Sequence, residues 1–272
     1  MRRGSLAAAT GRAFWTTLSR NTETGMNDVA TRLTLQKDLA RHLRAGHPWV
    51  FRKAVEKAPK GLAAGAIVDV RRGQKTGHFL DQRENRRMVR DLARGRGEVL
   101  NLFSYTGGFS VAAALGGSRH VVSVDVDRDA LALARDNFRE NGLDPADHAF
   151  AAEDAFELLA RYKREGRRFD LVVCDPPAFA KSQKAVESAL AGYASLNRAA
   201  LAVLAPGGLL VTASCSARVS SEQFYDAVRE AAFKARVDLQ LVEERRQPPD
   251  HPVSPQFREG RYLKLLVYRR AA

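Results

Sequence analysis

The chain has little cysteine and no long apolar run, and each scarcity excludes a class of protein. Its 272 residues include only two cysteines, Cys174 and Cys215, which cannot form the disulfide framework of a small secreted protein. No segment approaches the roughly 18 uncharged residues that a membrane-spanning helix needs. The two absences favour a protein of a reducing compartment, and we expect it to be cytoplasmic, with no membrane partner.

Acidic residues are scarce in the first third of the chain. Residues 1–97 hold 21 Lys and Arg against 8 Asp and Glu, so the whole net charge of +13 lies before Glu98. A general preference for arginine on solvated surfaces would not leave the longer remainder neutral. A basic segment joined to a neutral domain indicates a polyanionic partner, most simply nucleic acid.

The first 25 residues are rich in Arg, Ser and Thr and contain one acidic residue, Glu23. This composition is typical of a mitochondrial transit peptide. It is equally compatible with a disordered arm, or with sequence translated ahead of a start at Met26. We favour the last two together and expect residues 1–26 to be a disordered extension, because drift towards Ala and Arg needs no function.

From Val99 onward, short apolar runs alternate with helical patterns. The runs at 99–103, 120–126, 169–175 and 208–215 are rich in β-branched residues and predict strands buried on both faces of a parallel sheet. Helices are predicted at 81–95, 107–116, 127–141, 154–165, 186–204 and 220–236. The last two runs, "DLQLVEERR" and "YLKLLVYRR", predict a hairpin at one sheet edge. The whole pattern is that of a doubly wound α/β sheet.

The carboxyl ends of such strands are where ligands bind. Gly107 and Gly108 follow the first strand, where a close backbone approach and free N–H groups favour a ligand, although a Gly-Gly pair also permits tight strand–helix packing. The absence of G-x-G-x-x-G counts against an ordinary nicotinamide site. Asp125 follows the second strand, where a carboxylate accepts hydrogen bonds from ribose hydroxyls. Asp127 is the better helix cap, so we predict no structural role for Asp125.

Two further carboxylates follow the third strand, which precedes "AEDAF", and the fourth strand, at 169–175. Asp154 could accept the amino group of an adenine, or only cap the next helix. Together with the first two strand ends it outlines a cofactor that contains adenosine. Asp175 precedes Pro176 and Pro177, which make a stiff corner with few donors. Two prolines can simply end a strand, but this corner also suits a carboxylate that binds a flat amino group.

The two cysteines receive opposite interpretations. Cys174 is one strand position before Asp175, so its side chain faces the other way and is predicted to lie in the core. Composition alone favours the same for Cys215, because free cysteines are usually buried. Its place after the fifth strand, beside the predicted end of the strand of Asp175, instead favours a nucleophile, since cysteine is intrinsically very nucleophilic.

Several segments together resemble the S-adenosylmethionine-dependent large-subunit ribosomal RNA cytosine-C5 methyltransferases. They are "LNLFSYTGGFSVAAALGG", "VVSVDVDRDALALARDN", "FDLVVCDPPAFAKS", "SCS" and "DHPV", and they stand in the family's order. "GQKTGHFLDQRENR" is similar to the segment that leads into that family's cofactor domain. The resemblance runs from about Gln74 to the C-terminus and is specific.

The resemblance implies a class I methyltransferase (Rossmann-like) fold, a seven-stranded sheet with one antiparallel edge strand, preceded here by a short basic segment. It implies S-adenosylmethionine as cofactor, Asp125 on its ribose, Asp154 near its adenine, and Asp175 at the target base. The residues expected to bind the cofactor are Phe103, Ser104, Tyr105, Gly107, Asp125, Asp154, Asp81 and Arg83.

Upstream, "GHPWVF" and "GAIVDV" resemble the beginning of the family's N-terminal RNA-binding PUA domain. The chain then passes almost directly to the lead-in segment, so the rest of that module is missing. We therefore expect an abbreviated PUA-like RNA-binding segment over residues 27–73 and a methyltransferase domain over residues 74–272.

The implied activity is methylation of cytosine C5 in RNA, with large-subunit ribosomal RNA as the expected partner. C5 is a poor nucleophile, so Cys215 would first add to C6 and Asp175 would hold the N3/N4 edge. The target base must be unstacked for this chemistry. The sequence identifies no general base and no metal site, and an oligomer is neither indicated nor excluded.

Two alternatives stay open. Methylation of guanine N7 or another heteroatom uses a similar "DPP" corner and needs no cysteine, so the "SCS" segment counts against it. A non-catalytic RNA-binding assembly factor would keep the cofactor pocket only as part of its fold. An assay of methyl transfer to RNA separates this second alternative from an enzyme.

Overall fold

The computed structural model describes residues 79–180, 182–256 and 260–272. The predictions for residues 1–26 and 27–73 lie outside these ranges. Within the described residues no helix is long and apolar enough to cross a membrane.

Seven strands form one sheet in the order β3-β2-β1-β4-β5-β7-β6. Strands β1 to β5 pair in parallel, while β7 is antiparallel to both β5 and β6. The expected seven-stranded class I sheet with its antiparallel edge is therefore confirmed. Their bounds are β1 Glu98–Leu102, β2 His120–Val124, β3 Ala149–Ala151, β4 Phe169–Cys174, β5 Leu204–Ser214, β6 Leu239–Arg245 and β7 Lys264–Arg270.

Within the described residues, six α-helices cover the two faces of the sheet. They are α1 Arg83–Leu92, α2 Gly108–Leu115, α3 Arg128–Glu140, α4 Ala155–Arg164, α5 Val186–Leu201 and α6 Ser221–Ala235. Side chains of α1, α2 and α3 enclose one apolar core with the sheet, and those of α4, α5 and α6 enclose the other. The continuous apolar strands are explained by this arrangement, because both faces of the central strands are buried.

The predicted boundary between α5 and β5 is wrong. The helix expected to run to residue 204 ends at Leu201, and β5 begins at Leu204 instead of residue 208. The pairing of β5 with β4 shifts between Phe169 and Leu171, so Pro206 and Gly207 lie in an irregular stretch of the strand. Proline and glycine are typical of strand irregularities, which explains why the continuous apolar run begins only at residue 208.

A glycine lets α1 approach α2 closely. A Cβ atom on Gly116 would lie 2.1 Å from the carbonyl oxygen of Arg90 and 3.0 Å from the Cβ of Ala93. The first clash is with backbone, which no side-chain rotation relieves. Because α1 directly follows the lead-in residues Asp81 and Gln82, this contact also fixes where those residues lie.

Gly116→Ala should therefore destabilise the fold by ~1–3 kcal/mol, the usual cost of forcing extra atoms into a packed contact. The measurement is urea unfolding followed by circular dichroism. Leu115→Ala is the matched control, because Leu115 is exposed and its loss should cost about 0.5 kcal/mol or less. Equal stability of Gly116→Ala and the parent protein would mean that the helices do not pack this closely.

Candidate active site

The turn between β1 and α2 has an unusual backbone. Phe103 and Tyr105 adopt φ of 56° and 49°, and Gly107 has φ of 77°. Non-glycine residues in the left-handed region cost roughly 1–2 kcal/mol each and cluster at functional sites. The amide of Ser104 donates to Val124 O at 2.8 Å, and Ser104 O accepts from the amide of Gly107 at 2.8 Å. The turn is thus held in a conformation that its sequence does not favour.

Asp125 holds this turn in place. One carboxylate oxygen accepts from the amide of Tyr105 at 2.8 Å, and the other accepts from the amide of Asp127 at 3.0 Å. The expectation that Asp125 has no structural role is therefore wrong. Each carboxylate oxygen has two lone pairs, so Asp125 retains capacity to accept hydrogen bonds from a ligand.

Three other predicted positions have structural roles as well. Asp127 caps α3 as expected, and Asp154 caps α4 through bonds from the amides of Phe156 and Glu157 at 2.8 and 3.2 Å. A Cβ atom on Gly107 would lie 2.9 Å from the Cβ of Ala134 in α3. For Gly107, the geometry therefore supports tight packing, one of the two explanations that its sequence left open.

The lead-in residues contact both the strained turn and the end of the sheet. The ring of Phe79 meets that of Tyr105 edge-on, with centroids 5.9 Å apart. Asp81 is buried and accepts a 2.5 Å hydrogen bond from the hydroxyl of Tyr262. Arg83 instead pairs with Asp250 at 2.6 Å and with Glu84 at 3.0 Å, so its charge is already engaged.

Two buried polar atoms in this region have no hydrogen-bond partner among the described residues. They are Oδ1 of Asp81 and Oγ of Ser104. A buried polar atom without a partner is costly, which favours its completion by a ligand or water. With the remaining acceptor capacity of Asp125, these atoms suit ribose hydroxyls and an amino-acid portion. The residues present fit S-adenosylmethionine.

Asp175 is oriented by a chain of buried amides that the sequence did not reveal. Gln82 donates from Nε2 to Oδ2 of Asp175 at 3.0 Å, and its own Oε1 accepts from Asn85 at 2.5 Å. Oδ1 of Asn85 in turn accepts from Nε of Arg245 at 3.2 Å. Each amide therefore donates towards Asp175 and accepts from the side of the arginine. Burial lowers the pKa of nearby Arg86 to about 10, opposed by the charges of Asp81 and Asp175.

The two cysteines lie as the strand pattern predicts. Cys174 is fully buried, and burial raises the pKa of its thiol far above the ordinary value. Cys215 directly follows β5 and is half-buried, and its sulfur lies 3.8 Å from the carbonyl oxygen of Pro176. The parallel register pairs Cys174 with Thr212. Asp175 and Cys215 therefore lie at the same edge of the sheet.

The serines on either side of Cys215 share one anchor. Tyr193 of α5 is fully buried, and its hydroxyl lies 2.9 Å from Oγ of Ser214 and 2.9 Å from Oγ of Ser216. The amide of Ala180 also donates to Oγ of Ser216 at 3.4 Å. The core thus holds the residue before Cys215 and the residue after it.

One further residue near this segment was missed. Lys264 begins β7 and is buried, with Nζ 2.7 Å from the carbonyl oxygens of both Ser216 and Val219. A lysine inside the apolar run "YLKLLVY" was the signal that could have identified it, because lysine is almost never buried without a partner. Within the described residues, no group of His, Cys, Asp or Glu could hold a metal ion.

Comparison with known proteins agrees with this arrangement. Residues 18–269 match the family of S-adenosylmethionine-dependent methyltransferases. The ribosomal RNA large subunit methyltransferase I of Erwinia tasmaniensis is 44% identical over 203 residues, which cover 75% of this chain and 51% of that protein. Its counterpart in Aeromonas hydrophila is 45% identical, with coverage of 75% and 51%. The chain spans about half the length of the curated relatives it matches.

Solved structures give the same result. One assigned as an S-adenosylmethionine-dependent methyltransferase from Streptococcus mutans, and one assigned as a methyltransferase and complexed with S-adenosylhomocysteine, each match with TM-score 0.65 and 32% identity. Each match covers 73% of this chain and 51% of the other. Because the family match includes the strained turn, Asp175 and Cys215, the chain belongs to the S-adenosylmethionine-dependent methyltransferases.

Proposed function

We propose that the chain methylates C5 of a cytosine in large-subunit ribosomal RNA, in the cytoplasm, through a temporary bond between Cys215 and C6 of the base. The observation that carries the proposal is the position of Cys215 beside the Asp175 corner, at the ends of adjacent strands. The names of the relatives supply the RNA class. A methyltransferase of heteroatoms needs no thiol at this place.

Cys215 has a defined part in this reaction. Its thiolate adds to C6, the electrons of the C5=C6 bond move onto C5, and C5 becomes nucleophilic. S-adenosylmethionine, when bound, supplies an electrophilic methyl carbon. After C5 has gained the methyl group, a base removes the C5 proton, the double bond re-forms, and Cys215 leaves as thiolate.

Asp175 supports the same steps from the other side of the base. Its carboxylate can accept from the exocyclic amino group of cytosine while Oδ2 accepts from Gln82. Pro176 and Pro177 stiffen the backbone that carries it. A target cytosine must leave its stack to reach this corner, so we infer an unpaired or flipped nucleotide.

The cofactor is assigned to the turn after β1 and the end of β2. Asp125 would accept from the ribose hydroxyls, and Ser104 and Asp81 would complete their hydrogen bonds with the amino-acid portion. Phe103, Tyr105 and Gly107 would shape the turn, and Asp154 would lie near the adenine. Arg83 would act through its ion pair with Asp250. The proposal also includes a PUA-like RNA-binding segment over residues 27–73 and a methyltransferase domain over residues 74–272.

Asp125→Ala should weaken binding of S-adenosylmethionine by ~1.5–3 kcal/mol, the cost of losing charge-assisted hydrogen bonds. Isothermal calorimetry on the folded variant measures this. Asp127→Ala is the matched control, because it removes a helix cap two residues away and should lower stability by ~1 kcal/mol with affinity unchanged. Unchanged affinity in Asp125→Ala would remove that carboxylate from the cofactor site.

Cys215→Ala should abolish the covalent intermediate. RNA containing 5-fluorocytidine at the target position cannot lose its C5 substituent, so a methylated protein–RNA adduct should accumulate with the parent protein and remain on a denaturing gel. Cys174→Ala is the control and should still form the adduct, because Cys174 lies in the core. Methylation of RNA by Cys215→Ala at a near-parental rate would refute the mechanism and favour a heteroatom target.

The exposed arginines of α1 should contribute to RNA affinity, because the positive charge of the chain lies before Glu98. In Arg87→Gln/Arg90→Gln, the slope of log K against log salt should fall by ~0.7–0.9 for each phosphate that the protein no longer neutralises. Arg139→Gln/Arg229→Gln removes the same charge from α3 and α6 and should leave the slope unchanged. Equal slopes in the two double variants would remove α1 from the RNA interface.

A further inference from the structure

Lys264 carries a charge in an environment that does not favour one. The residue is 3% exposed, and the two carbonyls that accept its hydrogen bonds, those of Ser216 and Val219, are neutral. Within the described residues it forms no ion pair. A buried cation is costly unless an anion compensates it, so the position of Lys264 needs a functional or structural explanation.

Cys215 offers a chemical explanation for the buried charge of Lys264. Lys264 bonds the carbonyl of Ser216, the residue that follows the cysteine, and thereby ties β7 to the turn after β5. Burial lowers the pKa of Lys264 to about 8, and a negative charge on Cys215 acts in the opposite direction. Such an interaction is reciprocal: whatever the thiolate does to favour the ammonium, the ammonium does to favour the thiolate.

We propose that Lys264 is a positioning residue that stabilises the thiolate of Cys215 with its buried ammonium group and fixes the 216–219 turn. The proposal deepens the function proposed above and depends on Cys215 being the nucleophile, because only the thiolate form attacks carbon. It gives the lysine a reason to be both buried and charged. Its hydrogen bonds to the two carbonyls set the position from which the charge acts.

Other ionisable groups surround the pair. Tyr193 of α5 and Tyr262, before β7, interact electrostatically with Cys215, and Arg246, just after β6, interacts with Lys264. Asp175, just after β4, interacts with Tyr262. Burial raises the pKa of both tyrosines, so the phenols stay neutral while the thiol and the amine titrate. Burial has the largest effect on the pKa of Lys264, and the charge of Arg246 lowers that pKa further.

The sign of the pH effect follows from these charges. While Lys264 is protonated, its charge favours loss of the Cys215 proton and increases the thiolate fraction near neutral pH. As the pH rises through about 8, the lysine loses its proton and the assistance declines. The two groups then titrate as a coupled pair, so the thiolate advantage is greatest below that pH.

Alkylation of Cys215 by iodoacetamide tests this without any methyl transfer. The full chain is reacted over a pH series, and mass spectrometry assigns the modification to Cys215 or Cys174. Lys264→Met should raise the pH midpoint of Cys215 alkylation by ~1 unit or more, the shift expected for loss of a nearby opposite charge. At pH 7 this corresponds to a roughly ten-fold slower reaction.

Two variants separate charge from structure. Lys264→Arg keeps the cation and should keep a midpoint below that of Lys264→Met. Lys234→Met removes an exposed lysine of α6 and should behave as the parent protein. An unchanged midpoint in a folded Lys264→Met variant would overturn the proposal, even if that variant were less stable.

A comparison within the parent protein covers the case in which Lys264→Met does not fold. Cys215 should show a lower alkylation midpoint in the native chain than in the same chain unfolded in urea, and an equal or higher native midpoint would overturn the proposal. The readout is independent of the reaction. A lysine-dependent midpoint together with an active Cys215→Ala variant would refute the methylation mechanism and leave the thiolate–lysine interaction intact.

Discussion

The parallel pairing of β4 with β5 is the constraint on which the site depends. It brings the ends of two buried strands to one edge of the sheet. The corner formed by Asp175 and Pro176 therefore lies beside Cys215, although 39 positions separate Pro176 from the cysteine. The proposed reaction needs this neighbourhood, because the two side chains could not reach the same base from strands that were further apart. The apolar cores on both faces stabilise this pairing, and the proposed chemistry therefore depends on burial far from Asp175 and Cys215.

Buried polar side chains from other elements then orient Asp175 and Cys215, the two residues to which the proposed reaction assigns the chemistry. Gln82 and Asn85 connect Arg245 to Asp175, while Tyr193 and Lys264 hold the segment around Cys215. Such groups contribute little net stability, since their desolvation offsets much of the hydrogen-bond energy. Their effect is on geometry, because a buried polar group with one available partner has one acceptable orientation.

The sequence predicted the parts of the site that follow from local rules. Buried strands, helix caps and the proline corner depend on neighbouring residues, so Asp127 was identified as a helix cap and Asp175 and Cys215 were placed at the ends of their strands. The positions of Gln82 and Lys264 depend on partners 93 and 48 residues away, which no local pattern encodes. The left-handed Phe103 and Tyr105 were equally hidden, because their own propensities oppose the conformation that the surrounding structure imposes.

Asp125 shows why a role cannot be assigned by elimination. Asp127 explained the helix cap, and Asp125 was therefore expected to be left for the ligand alone. The structure gives Asp125 two amide partners, yet a carboxylate can accept about four hydrogen bonds. The same group can hold the strained turn and still accept from a ribose. Because backbone amides already fix the carboxylate of Asp125, a ligand that binds there loses no free energy in ordering it. The structural role of Asp125 therefore makes it a better binding group.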